Sequence, residues 1–276
     1  MINKLKNLGP GIIITSAFIG PGTVTICTLA GINYGYSLIW CIIFSIIATC
    51  YLQEVSSRLG IISRKGLSEI LTDIDNTFIR RIIISIIFLS LFIGNAAYES
   101  GNISGTVMGL ETFLGSIEFS LLSYKINFAP IAIGIFLALI IGNGSYKIFE
   151  KILVLLVFTM SITFVLVAIT STPSIKDLLG GLRPNVTETN FIYVVGLIGT
   201  TVVPYNLFLH SYVAKKRWVT AEDYKSSVYD TVLSIVIGGI ISLSIIITAA
   251  SSQISINQNE IKNAVDLGNQ LSPTLG

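Results

Sequence analysis

Two apolar segments of this chain are each interrupted by a proline near the centre, and the sequence predicts chemistry at these interruptions. A proline inside a helix removes one backbone hydrogen bond and displaces the carbonyl four residues earlier. The carbonyls released in this way are those of Ala17 and Thr200. In a bilayer, a released backbone group persists only where it lines a cavity or a bound ion. The interruptions consist of Gly20, Pro21, Gly22 and Thr23 in the first segment and of Val203, Pro204, Tyr205 and Asn206 in the sixth.

The composition predicts that the chain is an all-α polytopic membrane protein. Of its 276 residues, 52% are hydrophobic and 12% are charged, whereas soluble domains carry about 25% charged residues. Apolar stretches of about 20 residues predict spanning helices. Seven such stretches cover residues 10–33, 37–57, 80–108, 127–143, 148–171, 190–213 and 228–250.

The basic residues of the loops predict the orientation. With the N-terminus in the cytoplasm, the outer side keeps only Lys125, Lys176, Arg183 and Lys262 of the 17 Lys and Arg residues. An excess of Lys and Arg in cytoplasmic loops is typical of membrane proteins. We therefore expect a cytoplasmic N-terminus, and a plasma (inner) membrane location. Because the basic residues are scattered over short loops, a nucleic-acid partner is not expected.

The order of the segments predicts two repeats within one transmembrane domain, 1–276. Five spans occupy 1–171, an external linker follows at 172–189, and residues 190–276 hold spans six and seven with the start of an eighth. The interrupted helices then take the first position of each half, as in an inverted repeat, and such a pair indicates a transporter's substrate site. The second repeat is expected to be incomplete in this chain.

Several motifs resemble the NRAMP family of divalent-metal transporters. They are the run from Gly9 to Thr23, the Tyr34–Leu38 segment, Gln53-Glu54 with Arg58-Leu59-Gly60, and the run from Val203 to Ser211. The resemblance covers essentially the whole chain. It implies the LeuT-type fold, with alternating access around a site formed by broken helices 1 and 6.

The chain departs from the family pattern at the residues that would bind metal. The family's motif Asp-Pro-Gly-Asn in the first helix is replaced here by Gly20, Pro21, Gly22 and Thr23. Its motif Met-Pro-His in the sixth helix is replaced by Val203, Pro204 and Tyr205. Carbonyl, hydroxyl and amide oxygens remain, which suit a hard cation such as Mg²⁺ that keeps several waters. The departures resemble a magnesium-transporting branch of the family, so we expect Mg²⁺ and/or Mn²⁺ as substrate and no cofactor. The candidate metal-site residues are Ala17, Gly20, Thr23, Thr200, Val203, Tyr205 and Asn206.

Three further residues form a candidate proton or gating path. Glu99 and Asn102 occupy the third span, where the family carries Asp and Glu, so half of that relay is neutral here. An ionisable residue within a membrane segment is a functional candidate, but a packing hydrogen bond to Asn95 or Asn102 is an equal alternative for Glu99. His210 is the single histidine, and it is either a relay residue or a buried polar residue satisfied by a neighbour. We expect weak or absent proton coupling.

Two other functions stay open from the sequence. A LeuT-fold transporter of a small neutral organic solute would also use half-helix N-termini, which can hold a substrate carboxylate. A truncated, non-transporting NRAMP-like protein would explain the missing metal carboxylate. An enzyme is not expected, because the sequence has no nucleophile–base pair, phosphate loop or catalytic metal cluster.

Overall fold

The computed structural model describes residues 19–115, 118–121, 124–142 and 147–252, and these are mainly helical. The α-helices are α1 (Pro21–Tyr34), α2 (Ile39–Ser63), α3 (Leu67–Thr72), α4 (Thr77–Leu114), α5 (Ala129–Gly142), α6 (Lys147–Thr170), α7 (Ile175–Gly180), α8 (Phe191–Thr201), α9 (Pro204–Arg217) and α10 (Tyr224–Ser252). A 3₁₀ turn, Ala221–Asp223, precedes α10.

Each predicted span that lies in the described residues coincides with a helix or a helix pair. The sixth span is divided as predicted, into α8 and α9, because Pro204 begins the second half. The first span is described from residue 19 onward, so its predicted half before the break lies outside the described residues. The predicted cytoplasmic stretch 58–79 is shorter, because α2 continues to Ser63 and α3 occupies part of the remainder.

Four segments of the described chain are long and apolar enough to cross a membrane. They are Ile39–Ser63, Thr77–Glu111, Phe191–Arg217 and Ala221–Ser251. Two shorter apolar helices, Ala129–Ile140 and Leu155–Thr170, overlap the predicted fourth and fifth spans. The length of α4 is consistent with this role, since 35 residues at 1.5 Å per residue exceed the roughly 30 Å of a bilayer core.

A β-hairpin that the sequence analysis did not predict follows α4. Strands β1 (Glu118–Leu121) and β2 (Tyr124–Asn127) pair antiparallel, with Glu118 opposite Asn127. Asn127 joins the hairpin to both neighbouring helices. Its Nδ2 donates to Glu111 Oε1 at 2.6 Å, and its Oδ1 accepts from the Ala129 N–H at 2.9 Å. Asn127 therefore acts as a cap for α5.

The chain divides into two compact units. The first includes Trp40–Tyr98 and Val186–Ile240, together with residues 19–20. Its interior is polar along several helices, and its buried polar residues include Thr49, Gln53, Ser56, Ser57, Thr201, Asn206, His210, Ser211, Ser227, Asp230, Thr231 and Ser234. In lipid such groups must be satisfied inside the protein, so this unit is organised by hydrogen bonds between helices.

The second unit includes Pro21–Ile39, the described part of Glu99–Asn185, and residues 241–252. Helix α1 packs closely on the C-terminal part of α10 here. A Cβ atom at Gly31 would lie 2.6 Å from the Ile246 carbonyl oxygen, so only glycine permits this approach. The Tyr36 hydroxyl, 2.8 Å from Ser251 Oγ, adds a polar contact at the end of the same interface.

Candidate functional site

The first helix break lies at the start of α1. Pro21 is the first helical residue, a position that proline favours because its missing N–H has no partner within the helix in any case. Thr23 is 1% exposed. The Pro21 carbonyl accepts a hydrogen bond from Thr25 Oγ1 at 2.8 Å, so this carbonyl is satisfied locally. Gly20 is half-buried, and Ala17 lies outside the described residues.

Helix α4 supplies a partner to this break. Asn102 Oδ1 accepts the Gly22 N–H at 3.1 Å, and Asn102 Nδ2 donates to Glu99 Oε2 at 3.4 Å. The structure thus shows the hydrogen bond to Asn102 that the sequence analysis gave as the structural alternative for Glu99. Both residues belong to the second unit, as does the start of α1.

The second helix break separates α8 from α9. Helix α8 ends at Thr201, and Val202 and Val203 leave the helical conformation, with ψ of 76° and 116°. Thr49 Oγ1 of α2 lies 3.5 Å from the Thr201 carbonyl oxygen. The Thr200 side chain turns back to the Leu197 carbonyl at 3.1 Å. The break thus separates the two helices, and a hydroxyl of α2 lies next to the last carbonyl of α8.

Asn206, in the first turn of α9, is the most informative residue of this break. Its side chain is 1% exposed, and among the described residues neither its Oδ1 nor its Nδ2 has a hydrogen-bond partner. A buried amide without partners costs about 1–3 kcal/mol for each unsatisfied group. Most buried polar atoms in proteins are satisfied, so such a group calls for an explanation, such as a bound water or ion. Asn206 was predicted as a ligand, and its burial at the break fits that role.

His210, one turn further along α9, joins three helices. Its Nδ1 lies 2.9 Å from Gln53 Oε1 of α2, and its Nε2 lies 3.4 Å from Thr231 Oγ1 of α10. Because an amide oxygen only accepts, Nδ1 carries the proton and Nε2 accepts from the threonine hydroxyl. His210 is fully buried, and this arrangement indicates the structural alternative given above, a buried polar residue satisfied by its neighbours.

Sequence reasoning missed Gln53, Thr231 and Thr49 as partners of the site. Thr49, Gln53, Ser56 and Gly60 recur at intervals of three and four in an otherwise apolar segment. Such a spacing places residues on one face of a helix, so the pattern could have identified the face of α2 that meets α9. The partners on α10 have no comparable signal, because small polar residues occur all along that helix.

Helix α9 is held along α2 and α3 by polar contacts. Ser56 Oγ donates to the Leu207 carbonyl, and the Leu67 N–H donates to Ser211 Oγ at 2.9 Å. Lys215 Nζ then contacts both carboxylate oxygens of Glu69, at 2.8 and 2.6 Å. The second half of the broken helix is therefore fixed to its neighbours from the first turn to the last.

The Glu69–Lys215 pair predicts a pH-dependent contribution to stability. Two hydrogen bonds hold the pKa of Glu69 below its usual range. The larger effect comes from Lys215 and the next from the Gly66 N–H. A carboxyl whose pKa is lowered by folding stabilises the protein above its unfolded pKa, and that contribution is lost as the pH falls through the folded pKa. We therefore expect E69Q to lower the melting temperature at pH 7, with a difference that shrinks in acid.

Thermal unfolding in detergent over a pH series measures this difference, and D73N is the matched control. Asp73 pairs with Lys65 at 2.6 Å, and both of those side chains are about half exposed, at 49% and 52%. Exposed pairs contribute little, so D73N should shift the melting temperature less than E69Q. Equal shifts for the two variants, or a difference for E69Q that does not change with pH, would contradict the assignment.

In the part of the chain that the structure describes, no group of three or more His, Cys, Asp or Glu side chains could hold a metal ion.

Comparison with known proteins identifies relatives over almost the full sequence. Residues 11–276 match the family model Nramp, described as natural resistance-associated macrophage protein-like. The chain is 26% identical over 279 residues to the divalent metal cation transporter MntH of Listeria welshimeri, covering 98% of this chain and 60% of that protein. A natural resistance-associated macrophage protein 2 homolog of Dictyostelium discoideum is also 26% identical, over 91% of this chain and 40% of that protein.

Among solved structures, the chain resembles a manganese transporter of Eremococcus coleocola, crystallised with an aromatic bis-isothiourea substituted compound. The TM-score is 0.67 at 21% identity, covering 90% of this chain and 52% of that one. This likeness confirms the predicted LeuT-type fold. The chain thus spans about 60% of the length of the MntH relative and about half of that structure.

Proposed function

Because the chain belongs to the Nramp family, we propose that it carries divalent metal cations across a membrane by alternating access and that it is not an enzyme. The relatives named above are a divalent metal cation transporter and a manganese transporter. The metal ion is the substrate, and the lipid bilayer is the environment of the apolar helices.

The observation that carries this proposal is the buried Asn206 amide at the second break. Its oxygen and nitrogen have no hydrogen-bond partner in the described part of the chain, although the surrounding helices satisfy the neighbouring His210. An ion or its bound water would supply the missing partner. The ligands that we assign are the predicted residues Ala17, Gly20, Thr23, Thr200, Val203, Tyr205 and Asn206, which contribute carbonyl, hydroxyl or amide oxygens or leave room for the ion.

The substrate that best suits these ligands is a partly hydrated Mg²⁺ or Mn²⁺ ion. Mg²⁺ loses its waters reluctantly and prefers oxygen ligands, whereas softer metals favour nitrogen and sulfur. Val203 provides no sulfur where the family pattern has methionine, and Gly20 provides no carboxylate. Neutral ligands compensate poorly for full dehydration, so the ion would keep part of its hydration shell.

We propose that transport has weak or no proton coupling. Asn102 carries no charge beside Glu99, and both ring nitrogens of His210 are engaged with Gln53 and Thr231. A relay needs groups that can exchange protons in series. These contacts supply one carboxylate and one fully partnered imidazole.

The proposed setting is the plasma (inner) membrane, with the N-terminus in the cytoplasm. Helix α9 ends in Lys215, Lys216 and Arg217, and Arg64 and Lys65 lie in the loop before α3. Basic residues beside spans favour the cytoplasmic side. The repeat organisation predicted from the sequence, 1–171 and 190–276 around the linker 172–189, is part of the same proposal.

Uptake into liposomes that contain the purified 276-residue protein and an internal pH dye tests the proposed function. We expect influx of Mg²⁺ and of Mn²⁺ without acidification of the interior. Influx of Mn²⁺ alone, accompanied by protons, would overturn the hydrated-ion and uncoupled parts of the proposal. No influx from folded protein would overturn transport and favour a non-transporting protein. Competition by amino acids would instead favour an organic solute as the substrate.

A further inference from the structure

We propose that Asn102 is a positioning residue for the first helix break: its side-chain amide caps the N-terminus of α1 from a different helix and links that break to Glu99. The inference rests on the proposed function for its transport readout. Its structural part concerns only the contacts between α1 and α4 within the second unit.

The cap is visible in the hydrogen bonds. The first N–H groups of a helix have no partner inside it, and in soluble proteins a side chain just before the helix usually satisfies one of them. The residue just before α1 is Gly20, which has no side chain. Asn102 Oδ1 takes this role from α4, 80 residues away, by accepting the Gly22 N–H at 3.1 Å.

Close packing at the same place supports a specific contact. A Cβ atom at Gly22 would lie 3.1 Å from Asn102 Oδ1, and a Cβ atom at Gly105 would lie 3.0 Å from both Pro21 Cβ and Thr25 Oγ1. The two glycines therefore allow the start of α1 to lie against α4. The backbone at Asn102 is itself engaged, because its carbonyl accepts from Thr106 Oγ1 at 2.9 Å.

An amide suits this position better than a carboxylate, because it donates and accepts at once. While Oδ1 accepts from Gly22, Nδ2 donates to Glu99 Oε2 at 3.4 Å. An ionised aspartate at 102 would still accept from Gly22, but it would place a second negative oxygen opposite Glu99. That variant would lose the donor to Glu99 and so break the link, while the cap on Gly22 stays in place.

Hydrogen–deuterium exchange and uptake, measured on the same variants, test the proposal. In N102A we expect faster exchange of the segment that contains Gly22 and about tenfold slower metal uptake, because a small displacement of a binding group has a large effect on rate. In N102D we expect Gly22 to keep its protection, while uptake falls as in N102A, because a negative oxygen replaces the donor to Glu99.

A glycine pair on α4 provides a second test with its own control. G105A should push the start of α1 away and speed Gly22 exchange, whereas G109A should not, because a Cβ atom at Gly109 meets no described atom within 4 Å. Unchanged Gly22 exchange in both N102A and G105A would overturn the cap. Uptake by N102D at the wild-type rate would overturn the link to Glu99. If the wild-type protein carries no metal, the exchange result still decides the cap, so the two failures are distinguishable.

Discussion

Replacing Asn206 with leucine is expected to abolish metal uptake while leaving the protein at least as stable as before. Both polar atoms of the amide are buried and lack a partner among the residues that the structure describes. An apolar side chain of similar size removes that unfavourable burial, which is worth about 1–3 kcal/mol. A residue that costs stability and is nevertheless present is typical of a functional position. If Asn206 ligates the ion or its water, N206L loses the ligand, and uptake should fall more than tenfold.

Uptake into liposomes and thermal unfolding in detergent, made on the same preparation, measure the two effects. Ser234 offers a matched control, since its hydroxyl is also buried without a partner among the described residues but belongs to α10 and not to a helix break. S234A should gain a little stability and keep its uptake. Normal uptake by N206L would show that the amide is not a ligand. A large loss of stability would show instead that Asn206 supports the fold.

The division of the sixth span could be predicted because its cause is local. Pro204 has no N–H to donate and disrupts a helix interior, so the sequence alone places a boundary near it, between α8 and α9. Gly20 and Pro21 mark the start of α1 for the same reason. The apolar runs likewise predicted the positions of α2, α4, α5, α6 and α10 to within a few residues at most ends.

The hairpin after α4 was missed because its signal is short. Residues Glu118 to Leu121 alternate between polar and apolar, as half-buried strands do. An alternation of only four residues is a weak signal for a strand in a chain dominated by long apolar segments. The pairing of Glu118 with Asn127 and the contact of Asn127 with Glu111 are what fix it. Neither contact can be read from composition.

The position of the candidate ligands at the breaks could be predicted from the sequence, whereas the residues that support them could not. Asn206 follows Pro204 directly, so its place at the break is a local fact. The partners of His210 are Gln53 and Thr231, which lie 157 and 21 residues away, and only the fold brings them together. The role of Asn102 likewise depends on Gly22, 80 residues distant. Polar contacts between residues so far apart leave no periodic pattern in the sequence, so they cannot be inferred from it.

Replacing Gly60 with alanine is expected to destabilise the protein strongly, by about 3 kcal/mol, because overpacking at a tight contact typically costs 1–3 kcal/mol and the neighbour here is backbone. A Cβ atom at Gly60 would lie 2.2 Å from the Ser211 carbonyl oxygen. No side-chain rotation can relieve that overlap, so α2 and α9 would have to separate. Small residues at helix contacts in membranes serve this close approach.

The same separation should also impair transport, because it would draw α9 away from the helix that orients His210 and holds Leu207. The control is G94A, which makes the same substitution inside α4, where a Cβ atom meets no described atom within 4 Å. Alanine is favoured over glycine within a helix by up to about 1 kcal/mol, so G94A should be neutral or stabilising. Melting temperatures in detergent and folded yield from membranes measure both variants. Equal stability of G60A and G94A would mean that α2 and α9 do not meet at Gly60, and the support of the second break would have to lie elsewhere.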